Sequence, residues 1–173
     1  MKFLKLLISI ILFPLVISSL ITLLNIVTKS ISANYKLDNF LYFVGGCSFY
    51  FFLFLTTPKP YKIYVLGHEL THAIWAILMG KKVSKIKISK KGGYVEISKS
   101  NFWISLSPYF FPFYTFLLIL ISLFIYFFNN NYFYNNIFYF LVGFTWFFHI
   151  LFTIDALKIK QTDVTAHGKF FSY

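Results

Sequence analysis

The sequence predicts an all-α membrane protein, a polytopic bundle of about five transmembrane helices with a short β-hairpin between the third and fourth. Three observations carry this expectation. Of the 173 residues, 58% are hydrophobic and 12% charged, about half the charged share of an ordinary soluble domain. Apolar runs of bilayer-crossing length, about 20 residues, recur along the chain. One segment alone departs from them by alternating apolar and polar residues, the period of a strand. No linker, repeat or soluble second domain is visible, so residues 1–173 are expected to form a single membrane domain.

The first expected span is Phe3–Val27. It follows Lys2 and Lys5 as a signal peptide would, but it is longer than a signal core and lacks a small-residue cleavage site, so it is taken as retained. The second, Phe40–Leu55, ends at Thr56-Thr57-Pro58, and the third, Tyr61–Met79, stops at Gly80. Val83–Ser98 is the alternating segment. Ile86 and Ile88 interleave with Lys85 and Lys87, Lys90-Lys91-Gly92-Gly93 supplies the turn, and Val95 and Ile97 flank Glu96. The fourth span, Phe102–Phe128, contains Pro108 and Pro112, and the fifth is Ile137–Leu157.

The net charge is +11, and all sixteen basic residues are lysines. They lie in loops and at span ends, the pattern of membrane topology and anionic headgroups. A nucleic-acid partner would call for arginines and a basic face on a folded domain, and neither is present. Seven lysines fall between Lys81 and Lys99 and none in Asn129–Asn136. This places the hairpin and the C-terminus on the cytoplasmic side and the Asn-rich loop outside. The N-terminus is then outside, against the mild pull of Lys2 and Lys5. The lone Cys47 has no internal partner for a disulfide.

His68-Glu69-Leu70-Thr71-His72 is the chemically informative stretch. On a helix, positions i and i+4 differ by about 40° in azimuth, so both imidazoles face one way and can ligate one Zn²⁺. Glu69 then stands close enough to take a proton from a zinc-bound water. The motif lies between Val65-Leu66 and Ala73-Ile74-Trp75, where ionisable groups are costly and mark function. The competing reading is a buried polar cluster that holds helices together. A catalytic zinc needs a third protein ligand and an open position. Asp155, Asp163, His149 and His167 are the candidates. His149 can serve as an interhelical hydrogen bond, Asp155 as a partner of Lys158, and His167 as a solvated residue.

Gly67-His68-Glu69-Leu70-Thr71-His72-Ala73 resembles the first core helix of the site-2 protease family, the zinc intramembrane metallopeptidases. The order of elements from about residue 61 onward is similar as well. Beyond the pentapeptide the likeness is one of architecture. The resemblance implies a third ligand from a carboxylate near the last core helix. Asp163 is the expected one, because Gln161–Gly168 is dense in polar residues within an otherwise lipid-like chain. It also implies hydrolysis of a peptide bond in a membrane-protein or peptide substrate, with the lipid bilayer as the medium. The expected location is a prokaryotic plasma membrane. Two other classes stand beside it: a catalytically silent membrane metal-binding or scaffold protein of the same fold, and a metal transporter. Intact Glu69 argues against the first. Spans one, two and four supply almost no polar ligands, which argues against the second.

Overall fold

The computed structural model describes residues 37–89, 92–128 and 136–158, together with Asp163 and with Pro14, Ile17, Ser18, Ile21, Thr22 and Asn25. The expected first span Phe3–Val27 therefore lies largely outside the described residues. So do the Asn-rich loop save Asn136, and the tail around His167. Five helices and one hairpin follow in order: α1 (Leu37–Thr56), α2 (Tyr61–Leu78), β1 (Val83–Ser89), β2 (Gly92–Ile97), α3 (Phe102–Phe110), α4 (Phe113–Phe128) and α5 (Asn136–Leu157). The chain is thus mostly helical with one small antiparallel sheet.

Two helices, α1 over Asp38–Thr56 and α5, are long and apolar enough to cross a membrane. At about 1.5 Å per residue, the 22 residues of α5 extend roughly 33 Å, enough for the hydrocarbon core. The expected fourth span, Phe102–Phe128, is broken at Pro112. It is two helices, α3 and α4, bent by 77°. The cause is local: Pro112 follows Phe111, whose φ and ψ of −101° and 102° are extended, as a residue before proline tends to be. With that bent pair counted as one span, the described residues offer up to three against the expected five. Helix α2 is not among them, because Lys62, His68, Glu69 and His72 interrupt its apolar face.

Helices α1 and α5 pack backbone to backbone. A Cβ on Gly46 would run into the carbonyl of Phe140, and one on Gly143 into the carbonyl of Phe43. Small residues at such a crossing let two helix backbones approach closely. Rings of Tyr50, Phe148 and Phe152 close the contact below the glycines, with Tyr50 edge-on to Phe148 at 5.4 Å. Thr115 of α4 donates to Thr145 of α5 at 3.1 Å. Replacing Gly143 by leucine should force α1 and α5 apart. Overpacking of this kind costs about 1–3 kcal/mol or more, read as a lower thermal unfolding temperature in detergent.

Helix α2 ends as its sequence predicts. Gly80 takes φ +68°, its N–H reaches the carbonyl of Ile77 at 2.9 Å, and that of Lys81 reaches Ala76 at 2.8 Å. These two bonds are a Schellman stop. The chain then turns straight into the hairpin, which packs back on α2. Ser89 pairs with Gly92, so only residues 90 and 91 lie between the strands. The expected four-residue turn is accordingly shorter, and Gly92 and Gly93 belong to β2. Lys85 faces Glu96 across the ladder, and the register shifts between Val83 and Lys85.

Candidate metal centre

The buried face of α2 carries Glu69, His72, Ala73 and Ala76, a stripe at helical spacing. The motif residues thus point into the protein. Glu69 is 6% exposed and His72 7%. His68 lies one turn before His72, with the rings 4.9 Å apart and edge to face.

Each imidazole is held by its Nδ1. His72 Nδ1 lies 2.7 Å from the backbone carbonyl of Ile104 in α3, and His68 Nδ1 lies 3.4 Å from the hydroxyl of Tyr64. Both Nε2 atoms are left facing the same space. Asp163 enters that space, its Oδ2 3.7 Å from His68 Nε2 and 3.4 Å from His72 Nε2. One donor atom from each residue lies within 4.8 Å of the others.

The donor set fits a divalent cation. Tetrahedral bonds of about 2.0–2.2 Å put donor atoms roughly 3.3–3.6 Å apart, close to the separations here. The hydrogen bonding points the same way. A carbonyl only accepts, so His72 must donate from Nδ1. Its Nε2, in the neutral ring, is then a bare lone pair facing a carboxylate oxygen. A proton or a metal ion between the two would satisfy them, and outer hydrogen bonds on the far nitrogens are the usual support of ligating histidines.

The other candidates stand elsewhere. The Asp155 carboxylate takes hydrogen bonds from Tyr61 at 2.7 Å and Lys59 at 3.0 Å, with Lys158 at 3.4 Å. It ties the start of α2 to the end of α5, and its hydrogen bond holds the Lys59 ammonium above the ordinary lysine range. His149 lines a small pocket with His68, Tyr64 and Tyr114. His167 lies outside the described residues.

Three residues at the site had no assigned role in the sequence. Tyr109 sets its ring edge-on to His68 at 5.4 Å and its hydroxyl 3.5 Å from Asp163. Ile104 supplies the carbonyl to His72. Gly93 of β2 lies against Glu69, where a Cβ would stand 2.6 Å from Glu69 Cγ and 2.8 Å from the carbonyl of Lys87. A paired glycine is a turn signal in sequence, and only the register shows it as the bare patch of strand that Glu69 needs. Gly93→Ala should therefore displace Glu69 or the hairpin while leaving the histidines in place. A misplacement near 1 Å costs up to about 10²-fold in rate, so turnover should fall with metal content unchanged.

No family model matches the chain, and neither a curated protein nor a solved structure matches it.

Proposed function

We propose that the chain is a zinc-dependent intramembrane metalloprotease that hydrolyses a peptide bond of a membrane protein, similar in chemistry to the site-2 proteases. The observation that supports this best is the convergence of His68 Nε2, His72 Nε2 and a carboxylate oxygen of Asp163 beside a buried Glu69. Zinc bound there would polarise a scissile carbonyl and acidify a water. Glu69 takes the proton of the attacking water and returns it to the leaving amine. The hairpin lies beside Glu69 through Gly93, so an extended substrate segment can pair with a free strand edge and bring its backbone to the site. Membrane residence rests on the apolar outer faces. Phe127, Leu78 and Phe128 are 84%, 74% and 73% exposed, a surface that lipid covers and water does not.

Elemental analysis of the purified protein tests the centre, read for zinc alongside iron and cobalt. About one zinc per chain is expected, and none after His68 and His72 are both replaced by alanine. Stoichiometric zinc surviving that double change removes the site.

A further inference from the structure

Pro108 lies inside α3, where its ring nitrogen has no hydrogen to give. In an α-helix the N–H of residue 108 would bond the carbonyl of residue 104. Proline at 108 leaves that carbonyl without its helical donor. It is the carbonyl of Ile104 that takes the hydrogen bond from His72 Nδ1 at 2.7 Å. Ile104 and Ser107 are fully buried, so no solvent competes for the place.

We propose that Pro108 is a positioning residue for the metal centre: by withholding a backbone donor it keeps the Ile104 carbonyl open to His72 Nδ1, and so fixes the His72 tautomer and ring orientation that aim Nε2 at Asp163. The inference rests on the metal-site reading and assigns one of its outer supports. A carbonyl oxygen has two lone pairs. Ser107 Oγ occupies one at 3.0 Å and His72 the other. Alanine at 108 would add a third donor, the restored backbone N–H, which the helix holds in place. One of the two side chains must then yield.

Two other features of α3 fit this account. Its start is fixed independently, since Asn101 caps it by accepting from the N–H of Ile104 at 2.9 Å. Its last turn closes on Ser107, whose carbonyl accepts from Phe111 at 2.9 Å. The helix thus continues on both sides of the missing bond, and the omission is confined to the carbonyl that faces His72. Pro112 opens α4 two residues past the end of α3, and its carbonyl bonds Phe116 within α4. It serves as the proline control.

The test uses the full chain in detergent micelles, with zinc affinity measured by chelator competition and Co²⁺ as a spectroscopic probe. Pro108→Ala should weaken zinc binding about 10–100-fold, the usual effect of losing a ligand's outer partner, and should change the Co²⁺ absorption bands. Pro112→Ala should do neither. Adding Ser107→Ala to Pro108→Ala removes one of three competing donors and should restore most of the lost affinity. A mere folding defect would not be repaired by a second substitution. Wild-type affinity and spectrum in Pro108→Ala, or a loss that Ser107→Ala does not repair, overturns the proposal. Should Pro108→Ala fail to fold, ¹⁵N-histidine resonances of metal-free wild type decide. The proposal requires the His72 proton on Nδ1, and a proton on Nε2 alone overturns it. If wild type binds no zinc, the metal-site reading fails, while the tautomer remains readable by the same resonances.

Discussion

Replacing Glu69 by glutamine should leave about one zinc per chain in place and lower peptide hydrolysis by about 10²–10⁴-fold, the range that a positioned general base contributes. The separation of the two effects follows from the geometry. Glu69 is one position on from His68, so its side chain points some 100° around the helix and is not among the three donors that converge. Its neighbours are instead the strand β2 at Gly93 and the interior of the protein. The amide keeps the size and polarity of the acid but cannot take up a proton, so packing and metal affinity persist while the attacking water loses its base. Zinc content by elemental analysis and turnover of a membrane-protein substrate, measured on the same preparation, check both halves. A variant that keeps full turnover would remove Glu69 from the chemistry. Turnover absent in wild type as well, with zinc bound, would favour the silent scaffold of the same fold.

The sequence made α2 and the hairpin legible because each obeys a short-range rule. Gly80 ends α2 since only a residue free of a Cβ sits easily at φ +68°, and alternation from Val83 onward can belong only to a strand. His68 and His72 share a face by helical spacing alone. What escaped depends on approach between distant segments. Gly46 and Gly143 look like any glycines in apolar runs until α1 and α5 are set against each other. Pro108 is legible as a break in a helix, but the carbonyl it frees has meaning only once His72 lies beneath it. Nothing in the sequence marks Lys59 and Tyr61 as partners of Asp155, because they are almost a hundred residues away and the nearer Lys158 already offers a charge. The bend at Phe111 was foreshadowed by its two prolines, whereas its 77° was not, since an angle is fixed by what α3 and α4 pack against.

Asp163→Ala should cost more metal affinity than Asp155→Ala or His149→Ala, and it is the change that most directly tests how the centre is closed. Among the described residues, three side chains could have completed the pair of imidazoles. His149 lines the pocket beside His68 but is not among the three residues whose donor atoms converge. Asp155 is saturated by Tyr61, Lys59 and Lys158, and taking it to the histidines would strand two lysines and unfasten α2 from α5. Asp163 alone puts an oxygen within 3.4 Å and 3.7 Å of the two Nε2 atoms, with Tyr109 at 3.5 Å as its own hydrogen-bond partner. Removing a ligating oxygen should exceed the roughly 10–100-fold that losing an outer partner costs, so zinc should be lost during purification from Asp163→Ala. Asp155→Ala should keep its zinc and show its effect as a lower unfolding temperature, because its bonds join α2 to α5 rather than reach the metal. Asp163→Asn gives the finer reading. The amide keeps an oxygen but not the charge, so it should bind zinc between wild type and Asp163→Ala. Equal zinc affinity in all three aspartate variants would show that the third ligand lies elsewhere, with the two histidines as the surviving core.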